Sequence, residues 1–269
     1  MVSVVIPARN EERNIAWVLE RLPDIVHEVI LVDGCSTDAT IEVARAARPN
    51  IVVVCDHGRG KGDALRIGFN VASGHFVVML DADGSMDPGE IPRFVATLVD
   101  GSDVVKGSRL LPGGGSDDLS LVRSAGNRVL CEMVNRLYGA GFTDLCYGYF
   151  AFRRSCLPLM KLATDGFEIE TEIVVCSVKA GLRVTEVPSF ELPRLHGESH
   201  LHAVRDGVRV LSTLLLRRVS RYPGRLHNPW TQPGCAIAPA NRAVATATPA
   251  TATSQATGDA MRIPVSDAA

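Results

Sequence analysis

Short apolar runs alternate with amphipathic segments along the first 110 residues. The runs at residues 2–6, 29–32, 51–55, 77–80 and 103–106 predict five strands, because each is short and ends at a turn or at polar residues. The segments between them predict helices at residues 11–22, 38–47, 63–72 and 88–99, the first of which Asn10 would cap. Strands joined by single helices predict an α/β fold with a doubly wound, mostly parallel sheet.

The second half of the chain is less regular. A glycine-rich stretch at residues 112–118 predicts a flexible loop, and a long helix is predicted at residues 119–138. Further strands are predicted at residues 150–152 and 183–187, and a helix at residues 168–180. Residues 201–218 predict an amphipathic helix, with Val204, Val208, Leu211, Leu215 and Val219 on its apolar face. Residues 224–269 are rich in Ala, Thr and Pro and predict a disordered tail, which leaves residues 1–223 as the folded domain.

Composition narrows the class of protein. The 269 residues are 46% hydrophobic and 22% charged, which is typical of a soluble globular chain. A formal net charge of −2 gives no general electrostatic basis for binding nucleic acid. Seven scattered cysteines without paired spacing indicate reduced thiols and a cytoplasmic location. No signal peptide or membrane-spanning stretch is apparent in the sequence, so we expect at most a peripheral contact with the inner face of the membrane.

Two carboxylates directly follow the most apolar strand. Asp81 and Asp83 alternate along the chain and therefore point to the same side, just beyond the carboxyl end of the run at residues 77–80. Two like charges so close together call for a cation, and Mg²⁺ or Mn²⁺ suits their oxygen ligands. The alternative is an ordinary polar turn in which aspartates act as caps.

Two other predicted strands end in polar residues at the same sheet edge. Arg9 follows the first strand and could contact a phosphate, while Asp33 follows the second and could accept hydrogen bonds from a base or a ribose. Lys61 lies in a glycine-rich segment before a helix, which suits a diphosphate. The segment lacks the Ser or Thr of a Walker A loop, and no G-x-G-x-x-G follows the first strand, which disfavours a Rossmann dehydrogenase. Taken without its neighbours, this glycine-rich segment would be interpreted as a solvated basic turn.

The ordered set of motifs resembles family-2 glycosyltransferases of the GT-A fold. The motifs are PARNEE, VDGCSTDAT, GRGKGDALRIG, LDADGS, GSR, TDLCYGYFAFRR, GFEIETEI and RLHGESHL. They cover about residues 2–220, and the branch they most resemble is the polyprenyl-phosphate sugar transferases, which are similar to dolichyl-phosphate-mannose synthase. Each motif is weak alone, while their order along the chain is specific.

The resemblance assigns roles to individual residues. It implies that the nucleotide is bound by Pro7, Arg9, Glu11, Asp33, Lys61 and Asp81. It places the metal ion on Asp81 and Asp83, with Ser85 as a further ligand or as the partner of a bridging water. It implies that Arg109 and Arg194 act at the reacting phosphates and that Arg123, Ser124 and His200 bind the acceptor. His200 replaces the lysine that is usual in the family, so its charge would depend on pH.

The predicted activity is a metal-dependent, inverting transfer of a sugar from a nucleotide-sugar, with UDP and GDP both open. A polyprenyl phosphate is the preferred acceptor and, being already ionised, needs no base. The alternative acceptor is a hydroxyl of a small molecule or glycan, which needs a general base, and Asp144 is the first candidate, followed by Glu168. Asp144 could instead be a turn or helix cap, and Glu168 a solvated residue at a helix start. A third hypothesis is a nucleotide-sugar-binding protein that has lost catalysis. The protein could also form a homo-oligomer.

Overall fold

The computed structural model describes residues 1–197 and 203–219. The strands of this part of the chain are β1 (Val2–Ala8), β2 (Val26–Asp33), β3 (Val52–Cys55), β4 (Phe76–Met79), β5 (Val104–Ser108), β6 (Gly115–Ser116), β7 (Phe150–Arg153), β8 (Val184–Pro188) and β9 (Phe190–Glu191). The α-helices are α1 (Ile15–Glu20), α2 (Thr40–Ala47), α3 (Lys61–Val71), α4 (Ile91–Val99), α5 (Leu121–Tyr138), α6 (Leu157–Met160), α7 (Ile169–Lys179) and α8 (Ala203–Val219).

Seven strands form the main sheet in the order β3-β2-β1-β4-β7-β5-β8. All neighbours in it are parallel except β7, which runs antiparallel to both β4 and β5. The predicted α/β class and mostly parallel sheet are therefore confirmed. The reversed strand β7 follows the long helix α5 and returns the chain through the middle of the sheet.

Helices cover both faces of the sheet. Alternate residues of β4 point to opposite faces of the sheet. Val77 and Met79 pack with α3, α5, α7 and α8. Val78 packs with α1, α2 and α4 on the other face. A strand that is buried on both faces has no reason to alternate apolar and polar residues. This explains the uninterrupted apolar run that precedes Asp81.

The first helix differs from its prediction. It begins at Ile15, and Asn10 does not cap it but adopts a left-handed conformation with φ = 56°. Asn10 instead bridges to the loop after β2, where its side-chain oxygen accepts a hydrogen bond from the backbone N–H of Thr37 and its own N–H donates to Ser36 Oγ. The segment between β1 and α1 is thus fixed by the neighbouring loop.

Two later predictions also need correction. The loop predicted at residues 112–118 contains strand β6, which pairs in parallel with β9 to form a second small sheet. In α8 the apolar face predicted from Val208 and Leu215 is turned to solvent, and the helix packs inward through Val210 and Leu214 instead. The sequence has apolar residues on both sides of this helix, so hydrophobic periodicity alone could not identify the buried side.

Some predictions lie outside the described residues, namely the acceptor role of His200, the start of the helix predicted at 201 and the tail at 224–269. Among the helices that are described, none combines the length and the apolar character required to cross a membrane.

Candidate functional site

The carboxyl ends of β1 and β4 open into one cavity of about 610 Å³. Its wall includes most of the residues predicted to bind the nucleotide and the metal: Pro7, Arg9, Glu11, Lys61, Asp81, Asp83 and Ser85. Arg123 and Arg194 line it as well. The parallel strands bring these side chains together because their carboxyl ends meet at one sheet edge.

Asp81 is paired with Lys61 at the base of the cavity. The Nζ atom of Lys61 lies 2.7 Å from Asp81 Oδ1 and 2.8 Å from Glu170 Oε1. Burial would lower the pKa of Lys61, but the two carboxylates outweigh it and raise that pKa above its usual value. Burial, reinforced by Asp83 and Glu170 and opposed by Lys61, raises the pKa of Asp81 to about 6. The ammonium of Lys61 is therefore held in its charged form beside Asp81.

Asp83 is paired with Arg194, which follows the last strand. Arg194 Nη1 lies 3.2 Å from Asp83 Oδ2, and Arg194 Nη2 also binds Glu11. Ser85 donates to the other oxygen of Asp83, with its Oγ 2.7 Å from Oδ1. The backbone N–H of Leu195 donates to the Asp83 carbonyl, so the segment after β9 is fastened across this side of the cavity.

The donor atoms here fit a hard divalent cation. Asp81 and Asp83 offer two carboxylates to the cavity, each about one-fifth exposed. No cluster of three or more His, Cys, Asp or Glu side chains that could hold a metal occurs within residues 1–197 and 203–219. Magnesium is commonly held by one or two carboxylates together with substrate phosphates and water. The pair fits that arrangement, whereas the chain alone offers no complete metal cage in the described part.

Asp33 lies buried at the end of β2. Its Oδ2 accepts a hydrogen bond from the backbone N–H of Ser36 at 3.0 Å, whereas its Oδ1 is buried with no hydrogen-bond partner among the described residues. A buried acceptor without a partner is costly in free energy. An N–H or O–H group of a ligand would satisfy Oδ1, but Asp33 is not among the described residues that line the cavity, so its contact with a base or ribose stays a prediction.

The glycine-rich segment before α3 is shaped by close backbone contacts. Gly60 has φ = 129°, and a Cβ at Gly62 would lie 2.3 Å from the carbonyl oxygen of Thr164. The segment is also held by His57, whose Nδ1 lies 2.9 Å from Asp63 Oδ2. Helix α3 begins at Lys61, and the backbone N–H groups of Gly62 and Asp63 in its first turn donate to the carbonyl of Asp165 rather than to the cavity.

Arg109 and Asp144 lie beneath the cavity and are buried. Arg109 Nε lies 2.7 Å from Asp144 Oδ2 and Nη2 lies 2.9 Å from Oδ1, while Nη1 reaches Glu191 at 2.9 Å. Burial opposes ionisation of Asp144, but Lys106 and Arg109 outweigh it and lower its pKa. A paired, enclosed carboxylate with a lowered pKa is a poor proton acceptor. Asp144 therefore holds Arg109 in place.

The predicted acceptor residues are only partly gathered at the site. Arg123 lines the cavity, and its Nη1 lies 2.7 Å from Asp118 Oδ2. Ser124 follows on α5 but is not among the described residues that line the cavity. Glu168, the second candidate base, accepts a hydrogen bond from the N–H of Gly166 and does not line the described cavity either.

Sequence reasoning missed several cavity residues. Glu170 holds Lys61, Asp118 holds Arg123, and Glu191 reaches the cavity while bound to Arg109 and Ser116. The one available signal was the crowding of acidic residues after Phe167, which is equally typical of a solvated helix start. No sequence pattern indicated Glu191, because strand β9 is only two residues long and too short to show the alternation of a strand.

Comparisons with known proteins identify the family and the fold. The model of the family described as "Glycosyl transferase family 2" matches residues 3–158. The chain is 33% identical over 231 residues to glycosyltransferase AglJ of Haloferax volcanii, covering 82% of this chain and 73% of that protein. It is 30% identical over 236 residues to the undecaprenyl-phosphate 4-deoxy-4-formamido-L-arabinose transferase of Serratia proteamaculans, covering 81% of this chain and 70% of that protein.

A solved structure is similar over most of the fold. Glucosyl-3-phosphoglycerate synthase from Mycobacterium tuberculosis, in complex with Mn²⁺, UDP and glucosyl-3-phosphoglycerate, superposes with a TM-score of 0.65 at 25% identity. The match covers 83% of this chain and 82% of that one. The predicted GT-A fold and the resemblance to polyprenyl-phosphate sugar transferases are confirmed by these comparisons.

Proposed function

Because the chain belongs to glycosyl transferase family 2, we propose that this sugar-transferring enzyme moves a sugar from a nucleoside-diphosphate sugar to a polyprenyl phosphate, with a divalent cation on Asp81 and Asp83. The observation that carries the proposal is the pairing of each aspartate with a protein cation at the strand end, Lys61 on one and Arg194 on the other. Both cations line the cavity, so they would add positive charge beside a bound diphosphate.

The residues at the site would have separate roles in binding the donor and stabilising the departing group. Asp33 Oδ1 would accept a hydrogen bond from the base or ribose, and Arg9 would contact a phosphate. A divalent cation, when bound, would neutralise charge that develops on the departing nucleoside diphosphate. Lys61 and Arg194 would add to that stabilisation from fixed positions. Attack of the acceptor in line with the departing group inverts the sugar carbon.

The acceptor side of the cavity supports a phosphate through Arg123. This guanidinium lies at the cavity wall, about one-third exposed and held by Asp118, so it is available for a charge-assisted hydrogen bond to a phosphate oxygen. A phosphate acceptor is already anionic and would need only positioning. The undecaprenyl-phosphate transferase of Serratia is the relative that supports this class of acceptor, and with it a peripheral contact with the inner membrane face.

One observation favours a hydroxyl acceptor as the second candidate. Glu191 lines the cavity with its side chain about one-tenth exposed and paired with Arg109, whereas the side chain of Asp144 is fully enclosed. A hydroxyl nucleophile needs a base within hydrogen-bonding reach, and Glu191 is the residue of the buried charge network that could supply one.

Ligand binding tests the donor half of the proposal. Isothermal titration of UDP and GDP, each with and without Mn²⁺, should give binding of one nucleotide that is strengthened by the metal. A donor-hydrolysis assay with the corresponding nucleotide-sugar should then release the nucleoside diphosphate. Equal affinity with and without metal for both nucleotides would overturn the metal assignment.

A further inference from the structure

Within the described part of the chain, two helices of one layer pack against the protein through their inner sides. Helices α5 and α8 contact each other and both contact α7. Cys131 and Val134 of α5 are buried, as are Val210 and Leu214 of α8. The opposite sides of the two helices therefore face outward.

These outward sides are apolar, although they are exposed. On α5, Leu121, Val122 and Val129 expose 89%, 78% and 61% of their surface. On α8, Leu216 exposes 72%, and Val208 and Leu215 are more than half exposed. We call these six residues the outer face. Single exposed apolar residues are normal on a protein surface, but a group on two adjacent helices indicates a binding surface.

The outer face is accompanied by positive charge. The two helices carry seven arginines and two acidic residues in a chain whose formal net charge is −2. Among the described side chains of the two helices, the arginines that are exposed are Arg128, Arg136, Arg209 and Arg218. Amphipathic helices that lie in a membrane interface combine arginine or lysine with such apolar residues, and anionic lipids attract them.

The outer face begins beside the acceptor side of the cavity. Leu121 and Val122 form the first turn of α5 and immediately precede Arg123, which lines the cavity. If this turn contacts lipid, the bilayer surface lies next to the part of the cavity that Arg123 lines.

We propose that the outer face docks the protein on the headgroup region of an anionic lipid bilayer. The inference deepens the proposed function, since a polyprenyl phosphate resides in a bilayer, but the docking itself rests on the exposed side chains and charges of α5 and α8. The apolar residues enter the interface, and the arginines contact lipid phosphates.

Vesicle binding of the full chain tests the docking without donor or acceptor. The protein is sedimented with vesicles of phosphatidylcholine alone or mixed with phosphatidylglycerol, at low and high salt. Val122→Asp and Leu216→Asp are compared with Val99→Asp, a matched control on α4, which packs on the opposite face of the sheet and where Val99 is 64% exposed. Melting temperature and nucleoside diphosphate binding are measured for each variant.

The wild type should bind the anionic vesicles, more weakly at high salt. The two outer-face variants should bind at least about tenfold more weakly, because a carboxylate resists burial and is repelled by anionic lipid. Val99→Asp should bind normally, and all three should retain the nucleotide site. The proposal is overturned if the wild type does not bind vesicles, or if Val99→Asp loses as much vesicle binding as the outer-face variants. It is also overturned if light scattering shows that the outer-face variants dissociate a dimer while their vesicle binding is intact. Failure of nucleotide binding in the wild type would count against the proposed function alone.

Discussion

Lys61 lies against both oxygens of the Asp81 carboxylate, with Nζ 2.7 Å from Oδ1 and 2.8 Å from Oδ2. Glu170 approaches the same ammonium group from α7, so a single cation joins the strand, the glycine-rich segment and the far helix layer. The approach is possible because residue 148 is glycine: a Cβ there would lie 2.5 Å from Glu170 Oε1 and 3.1 Å from Lys61 Nζ.

Replacing this glycine should disturb the charge cluster. In Gly148→Ala the added methyl must displace Glu170, and overpacking of this kind typically costs about 1–3 kcal/mol. We expect a lower melting temperature and weaker nucleoside diphosphate binding, measured by thermal unfolding and titration calorimetry. Gly126→Ala is the control, because a Cβ at Gly126 in α5 meets nothing within 4 Å. That change should stabilise the helix by up to about 1 kcal/mol and leave binding unchanged. Wild-type affinity in Gly148→Ala would contradict the role of the cluster.

Asp83→Asn should remove the metal dependence of nucleotide binding. The amide keeps the shape of the side chain but lacks the charge that a divalent cation requires. Losing a residue that merely supports a metal ligand typically costs about 10–100-fold in metal affinity, so the loss of a ligand should cost at least as much. Titration of UDP and GDP with and without Mn²⁺ measures the effect. Asp100→Asn, an exposed position at the end of α4, should behave as wild type. An unchanged response to Mn²⁺ in Asp83→Asn would remove Asp83 from the metal site.

The Arg109–Asp144 pair should make the fold sensitive to acid. The pKa of Asp144 in the folded protein lies below its ordinary value of 3.8, so the ionised pair stabilises the protein fully above that pH. The stabilisation is lost as the pH falls through the folded pKa, because the proton must then displace Arg109. Asp144→Asn should lose about 3–5 kcal/mol at neutral pH, since it leaves a buried guanidinium with a poorer partner.

Denaturant unfolding between pH 2 and pH 7 checks this expectation. The free energy of unfolding of Asp144→Asn should fall less steeply below pH 3.8 than that of the wild type. Asp24→Asn, which changes an exposed residue before β2, should keep the wild-type slope. Identical slopes in wild type and Asp144→Asn would mean that the pair does not govern acid stability.

The sequence predicted the sheet, and it predicted that Lys61 and Asp81 lie close together, because both depend on local pattern. Parallel strands place their carboxyl ends together, so Arg9 and Asp81, which both line the cavity, could be assigned to one sheet edge from strand positions alone. The antiparallel course of β7 and the pairing of β6 with β9 could not be predicted. These pairings join segments far apart in the chain, and nothing in a four-residue or two-residue strand specifies its partner.

The roles of the charged residues were the hardest to predict. Asp144 and Glu191 both contact Arg109, yet the first is enclosed and the second lines the cavity. Which carboxylate is buried depends on tertiary packing around Arg109. The outward apolar side of α8 has the same origin, because its neighbours α5 and α7 determine which side is covered.

The acceptor class can be decided by comparing Glu191 with Arg123. If the acceptor is a polyprenyl phosphate, its nucleophile is already ionised, so Glu191→Gln should leave kcat within a few-fold of wild type. Arg123→Ala should then raise KM for the acceptor, because a charge-assisted contact to phosphate is lost.

If the acceptor is a hydroxyl, Glu191 must take a proton during the reaction. Loss of a general base typically costs about 10²–10⁴-fold in rate. Glutamine can still accept the hydrogen bonds that Arg109 Nη1 and Ser116 Oγ donate to Glu191 Oε2, so the fold should survive the change, which the melting temperature verifies. Rates are measured with a short-chain polyprenyl phosphate and, separately, with a panel of glycan hydroxyl acceptors. We expect turnover on the phosphate, a strong effect of Arg123→Ala and a weak effect of Glu191→Gln. An inactive Glu191→Gln beside an active Arg123→Ala would exclude the lipid phosphate and establish the hydroxyl acceptor.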